Sequence, residues 1–263
     1  MSAWVALGWL LLMAAGPEAL TLPGFRLHLE MSDSIDPDRL EALARPGVVL
    51  WVTTSSNLVK RSLAERLGRA EASYLLVRFP LGGDVLEQFG PRVHPWVSLE
   101  GLDVGAFRRW APAGTALELP GALTEERVRN VSAIRPQAIR WRPDAAPAPE
   151  EWERARGLAG LEVHPPSALP ACVRPLKGAN RIRLRLPVAE AEASASGCGF
   201  ALRLEVPAAS TAPELMALLA QYPGAELSVR IGNDAEAVSA GALVSLLSGA
   251  VPAARRAPGA SPP

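Results

Sequence analysis

The sequence is poor in the residues that build most metal and redox centres. Its 263 residues include only two cysteines, Cys172 and Cys198, and three histidines, His28, His94 and His164. The cysteines lack CxxC spacing and the histidines are scattered along the chain, so the pattern of a metal site is absent. The sequence therefore predicts no metal site and no cofactor.

An excess of charge of either sign is also missing. The 27 Lys and Arg residues balance 27 Asp and Glu residues, so the formal net charge is zero. Such a balance provides no overall attraction to nucleic acid or to anionic lipid, and we expect neither as a partner. A hydrophobic fraction of 49% with 21% charged residues is typical of globular proteins, which argues against wholesale disorder and against a multi-span membrane protein.

Several catalytic motifs are absent from the sequence. It contains no GxSxG, no GxxxxGK[ST], no GxGxxG after a strand and no HExxH. These motifs build a nucleophile elbow, a phosphate-binding loop, a dinucleotide-binding turn and a zinc-protease helix, respectively. The sequence thus gives no support to an α/β-hydrolase, a nucleotide-dependent enzyme or a zinc protease.

The first residues carry the longest apolar run of the chain. Trp4 to Ala15 reads WVALGWLLLMAA, which is too short to cross a hydrocarbon core of ~30 Å but typical of a signal-peptide core. We expect residues 1–19 to be a signal peptide and the protein to be secreted or periplasmic in a bacterium, with no membrane span after its removal. The alternative is a buried N-terminal helix. Residues 251–263 have the composition of a disordered tail.

Export would affect whether the two cysteines form a disulfide. A disulfide between Cys172 and Cys198 would persist in an oxidising compartment, whereas two free thiols are equally compatible with their spacing. The sequence leaves both states open.

Short β-type runs recur about every 22 residues between Phe25 and Asn233. Ten such runs occur, and most of the segments between them have a helical pattern. Strands and helices that alternate at short intervals predict βαβ units and a parallel sheet, here within a single α/β-repeat domain over residues 20–250. Only the connectors over residues 165–180 and 188–199 show no clear helix.

Charged residues mark the centre of many runs. In Leu117-Glu118-Leu119-Pro120, for example, apolar residues flank a charge and a proline ends the strand. Because strand side chains alternate between faces, these central residues share the face away from the helices. In chain order that face presents Arg78, Ser98, Glu118, Arg140, Glu162, Arg185, Glu205 and Arg230.

The alternating sign of these charges predicts the order of the strands. Opposite charges become neighbours, and form an ionic ladder, only if consecutive strands lie side by side. We therefore predict a compact, divergent TIM-like (βα) barrel of sequential parallel strands, with an open leucine-rich-repeat-like α/β solenoid as the alternative. Ten runs exceed the eight places of such a barrel, so one or two are expected outside the closed sheet.

Candidate site residues follow from the barrel prediction. Chemistry in such barrels gathers at the carboxyl ends of the strands, and glycoside hydrolysis uses two carboxylates there. Residues at these ends are candidates for catalysis or for holding a sugar: Glu30, Glu100, Asp144 and His164 as catalytic residues, and Arg142, Trp96 and Trp141 as substrate-binding residues.

Two functions remain open at this point. The first is an exported, non-catalytic binding or structural protein whose partner is a glycan or another envelope protein. The second is a barrel hydrolase that cleaves glycans with the carboxylates named above. We prefer the first, because charges that satisfy one another in a ladder are less available for chemistry.

Overall fold

The computed structural model describes residues 26–54, 61–81, 87–166, 181–195 and 199–247. Residues 1–19, residues 251–263 and both Cys172 and Cys198 lie outside these ranges. The signal peptide and the disordered tail therefore stay predictions, and the disulfide stays one of the two states that the spacing of the cysteines allows.

Strands and helices alternate along most of the described chain. The ten strands are β1 (Leu27–Ser32), β2 (Val48–Thr53), β3 (Ala72–Leu76), β4 (Val93–Ser98), β5 (Ala116–Pro120), β6 (Ala138–Arg142), β7 (Leu161–Val163), β8 (Arg183–Pro187), β9 (Ala201–Val206) and β10 (Glu226–Arg230). The helices are α1 (Pro37–Leu43), α2 (Arg61–Leu67), α3 (Val104–Trp110), α4 (Glu125–Ile134), α5 (Pro149–Ala155), α6 (Val188–Ala195), α7 (Ala212–Gln221) and α8 (Asp234–Leu247).

The ten strands form one closed, all-parallel barrel. Each strand pairs with its neighbours in the chain, and β1 pairs with β10 to close the ring. The prediction of a TIM-like barrel with sequential strands is confirmed, and the open solenoid is excluded. The expectation that one or two runs lie outside the sheet is wrong. The diameter of a barrel grows with strand number, and long Arg, Glu and Trp side chains fill this wider interior.

Helix α6 corrects a second expectation, since it lies in a connector without a clear helical pattern. It begins directly after β8 with the sequence VAEAEASA. Alanine and glutamate are strong helix formers, and here their intrinsic preference decides the local structure without an amphipathic pattern.

The main hydrophobic core lies between the outer face of the barrel and the helices. Outward-facing strand residues such as Leu29, Leu50 and Leu117 are fully buried there. Short helices begin at defined caps: the Asp36 carboxylate accepts hydrogen bonds from the first turn of α1, and Thr124 caps α4. This outer layer fixes each strand, and hence the direction of its inward-facing side chains.

Gly114, just before β5, is expected to tolerate no side chain. Its φ is +88°, and a Cβ would lie 2.1 Å from Nδ1 of His94. Gly114→Ala combines backbone strain with a clash against a buried ring, so it should lower the free energy of unfolding by about 2–3 kcal/mol, measured by chemical denaturation. Gly224→Ala is the matched control, because Gly224 has a φ of +81° but open space around its Cβ. Equal losses for the two variants would contradict the clash.

Candidate functional site

The interior of the barrel has an aromatic half and an ionic half. The aromatic half lies on β2 to β5 and consists of Val49, Trp51, Tyr74, Trp96 and Ala116. The ionic half lies on β1 and on β6 to β10, and it is built from arginine, glutamate and histidine. Because successive side chains of a strand point to opposite faces, both sets lie inside the ring and the residues between them face the helices.

Glu30 on β1 reaches across the ionic half and contacts the guanidinium groups of Arg140 and Arg185. Both arginines are almost completely buried. Burial alone would raise the pKa of Glu30, but these two cations outweigh it and hold the pKa well below its usual range. Glu30 is therefore a permanently ionised carboxylate whose role is to neutralise two buried charges.

Arg140 on β6 connects the two halves of the interior. Its guanidinium carbon lies 3.4 Å from the ring centroid of Trp51 and 5.1 Å from that of Trp96, both within cation–π distance. Its Nε lies 3.7 Å from Glu162. Burial lowers the pKa of Arg140 well below its usual value. Such a shift is typical of a cation that is incompletely compensated.

A second cluster lies towards the amino end, around Glu226. Oε2 of Glu226 accepts hydrogen bonds from Nε and Nη2 of Arg203 at 3.1 and 2.7 Å. Oε1 of Glu226 lies 2.9 Å from Nη2 of Arg183. Nε2 of His28 lies 3.0 Å from Oε2. Burial would raise the pKa of Glu226, but the hydrogen bond from His28 and the charge of Arg203 lower it.

His28 is neutral in this cluster, and its proton has a fixed position. Burial, followed by the charge of Arg203, lowers the pKa of His28 to about 3. The indole N–H of Trp51 donates to Nδ1 at 3.3 Å, so Nδ1 is the acceptor and Nε2 carries the proton that faces Glu226. His28 therefore joins the aromatic half to the ionic half without adding a charge.

Glu162 on β7 is the third interior acceptor. It contacts Arg203 and Arg140, and one of its oxygens lies 2.5 Å from Nε2 of His164. Burial, followed by the charges of Arg140 and Arg185, lowers the pKa of His164 well below 6.5. At neutral pH His164 is an uncharged imidazole bound to a carboxylate.

The ionic ladder predicted from the sequence is only partly present. The register pairs Glu118 with Arg140 and Arg140 with Glu162, as expected. It then shifts, so that Glu162 is opposite Arg183, and Arg185 is opposite Arg203. The stagger of a closed barrel moves equivalent strand positions out of line. Arg185 instead reaches Glu205 diagonally at 3.5 Å.

Cavities lie at both ends of the barrel. We call the first the carboxyl-end cavity; it has a volume of about 560 Å³ and includes His164, Arg185, Glu205 and Arg230 in its lining. A neighbouring cavity of about 430 Å³, the Glu100 cavity, is lined in part by Ser98, Glu100 and Glu118. The amino-end cavity, of about 300 Å³, is lined in part by His28, Trp51, Arg140, Arg183 and Glu226.

The structure separates the residues predicted to be catalytic. Glu30 and His164 belong to the buried ionic network, whereas Glu100 and Asp144 are exposed in the loops after β4 and β6. Glu100 shares its cavity with Glu118 rather than with Glu30 or Asp144. The residues predicted to be catalytic therefore do not converge on one of the cavities described above.

The residues predicted to bind substrate are separated as well. Trp96 lies inside the barrel with its ring edge-on to Trp51, and Arg142 lies at the carboxyl end with its Nε 2.8 Å from Glu118. Trp141 lies on the outer face of the sheet with no exposed surface, and its indole N–H donates to the carbonyl of Gly121. Strand parity explains this placement, because Arg140 faces inward and its neighbour must face outward.

Two central members of the network, Arg203 and Glu226, belong neither to the predicted ladder nor to the predicted site residues. Arg203 lies two residues before Glu205, and Glu226 lies four residues before Arg230. Each therefore shares the inward face with the charge near the end of its strand. Continuing the alternation backwards from Glu205 and Arg230 would have placed them inside. The terminal triplets alone therefore described only the carboxyl-end layer of the interior.

The fold and the interior define a ten-stranded parallel βα barrel with an ionic and aromatic lumen. The chain matches no model of a known protein family, and no curated protein resembles it closely enough to count as a match. Within the described ranges, none of the helices has the length and apolar character needed to cross a membrane.

Proposed function

We propose that the chain is an exported, non-catalytic binding protein, secreted or periplasmic in a bacterium, that holds a polar envelope component, either a glycan or an envelope protein. The observation that carries this proposal is the pairing of the interior carboxylates. Among the described residues, each inward-facing glutamate contacts at least one arginine; these are Glu30, Glu118, Glu162, Glu205 and Glu226. Carboxylates held in this way stabilise the lumen and are poorly suited to move protons.

The carboxyl-end cavity is the binding surface in this proposal. It combines a buried cation, Arg185, with an exposed one, Arg230, whose side chain is 69% exposed and lies 3.4 Å from Glu205. Nη2 of Arg185 has no hydrogen-bond partner among the described residues. Donors and carboxylate acceptors in one cavity of this size suit a hydroxylated, acidic glycan better than an apolar ligand. The apolar run from Trp4 to Ala15 supports export.

A glycan array, together with soluble peptidoglycan fragments, tests the proposal on the chain that begins at residue 20. We expect binding of an acidic glycan, and we expect Arg230→Gln to weaken it about tenfold, since a charge-assisted hydrogen bond contributes about that factor. Arg129→Gln is the matched control. Arg129 lies on α4 and its side chain is 71% exposed; within the part of the chain that the structure describes, it too has only a distant partner, Glu125 at 3.8 Å.

A hydrolysis assay on the same glycans tests the alternative, a barrel glycan hydrolase. One observation favours it: Glu100 and Glu118 line the same cavity at the carboxyl ends of the strands, and burial raises the pKa of Glu118. Release of reducing ends that is abolished by Glu100→Gln would contradict the non-catalytic proposal. Binding without turnover, weakened by Arg230→Gln alone, would support it.

A further inference from the structure

The amino-end cavity is unusual for a βα barrel, because the floor of such barrels at this end is ordinarily packed for stability. Here small residues occupy the first inward-facing positions of several strands and leave space above the ionic network; those lining the cavity are Val49, Ala72, Ala138 and Gly160. The volume of about 300 Å³ is at the lower end of the range for pockets that hold small organic molecules.

The charges that line this cavity do not balance. Four arginines face three glutamates: Arg26, Arg140, Arg183 and Arg203 against Glu71, Glu162 and Glu226. The histidines in the lining do not add to the charge at neutral pH, because burial lowers the pKa values of both His28 and His94. The lining thus holds one more arginine than glutamate, and Glu30, which lies outside the lining, shares its single negative charge between Arg140 and Arg185.

Some hydrogen-bond donors that line the cavity also lack partners among the described residues. Arg140 is about 1% exposed, and its Nη2 has neither a hydrogen-bond partner nor an ion-pair partner among the described residues. Nε of Arg183 likewise lacks a hydrogen-bond partner there. Buried donors of this kind cost free energy unless a ligand or water satisfies them.

We propose that the amino-end cavity binds a small hydroxylated monocarboxylate, such as a sugar acid. Its carboxylate would add a negative charge to this lining and accept hydrogen bonds from Arg140 and Arg183. Its hydroxyl groups would donate to the carboxylates of Glu162 and Glu226. The site is distinct from the carboxyl-end cavity and stands independently of the function proposed for it.

Isothermal titration calorimetry with glucuronate, gluconate and lactate tests the site, with glucose as the uncharged control. We expect at least one of the acids to bind, with an affinity that falls as salt is added, and we expect no binding of glucose. Arg183→Gln should weaken binding about tenfold, since it removes a charge-assisted donor. Arg129→Gln on the outer surface should leave it unchanged.

Ala138→Leu places a larger apolar side chain in the cavity, removes no member of the ionic network, and should abolish binding. A thermal unfolding midpoint near that of the wild type identifies the variant as folded, and Ala72→Leu serves the same purpose if Ala138→Leu unfolds. Arg230→Gln should leave binding of the acid intact, which separates this site from the carboxyl-end cavity. Failure of all three acids to bind, equal binding of glucose, or unchanged binding by folded cavity-filling variants would overturn the proposal.

Discussion

Glu30→Gln is expected to lower the free energy of unfolding by about 3–5 kcal/mol, because it removes the countercharge that two buried arginines share. Among the described residues, Arg140 then keeps only the distant carboxylate of Glu162 at 3.7 Å, and Arg185 keeps that of Glu205 at 3.5 Å. Chemical denaturation at neutral pH measures the loss. Glu65→Gln is the control: Glu65 forms an exposed pair with Arg61 on α2, and its loss should cost about 0.5 kcal/mol or less.

The pH dependence of the free energy of unfolding shows whether the loss in Glu30→Gln comes from the missing charge. The pKa of Glu30 is lower in the folded state than in the unfolded state, so its contribution is present above the unfolded pKa of about 4.5 and is lost as the pH falls through the lowered value. The penalty of Glu30→Gln should be constant from pH 7 to about pH 5 and shrink below it. A penalty that does not shrink in acid would contradict a charge effect.

Trp141→Ala is the second variant with a large expected effect. Trp141 is fully buried between the sheet and the helices, where its ring lies 5.8 Å from that of Trp152, and its truncation should cost about 3–5 kcal/mol. Trp141→Phe should cost less, mainly through the lost hydrogen bond to Gly121. Thermal and chemical unfolding of both variants provide the measurement.

Glycan binding by the Trp141 variants tests whether this residue also contacts a ligand. A folded Trp141 variant should retain any glycan binding of the wild type, because the indole lies on the outer face of the sheet. A variant with wild-type stability but without binding would instead support the role in substrate binding that the sequence suggested.

The architecture could be predicted from the sequence because it depends on local patterns. Runs such as Leu117-Glu118-Leu119-Pro120 specify which residues face inward and where a strand ends. The alternating charges specify that consecutive strands are neighbours, and the register of Glu118, Arg140 and Glu162 agrees with that inference. Strand number was harder to predict, because closure depends on how wide a lumen the interior side chains can fill.

The site could be predicted less well, because its contacts span the lumen. The interaction of Glu30 with Arg140 and Arg185 joins β1 to β6 and β8, and such pairs depend on barrel width and stagger rather than on sequence distance. The orientation of the tryptophans, in contrast, follows from the local sequence of each strand. Parity along each strand distinguishes Trp96, which faces inward like Ser98, from Trp141, which faces outward beside Arg140.

The pairing of β1 with β10 also determines when the barrel can be completed during folding. The carbonyl of Glu30 accepts a hydrogen bond from the N–H of Ile231. The backbone N–H of Asp36 donates to the carboxylate of Asp234, which is 198 residues further along the chain. Until β10 is available, β1 is an edge strand whose free N–H and C=O groups can pair with another molecule. Closure over so long a separation is entropically costly, so we expect it to be a late step and a truncated chain to aggregate.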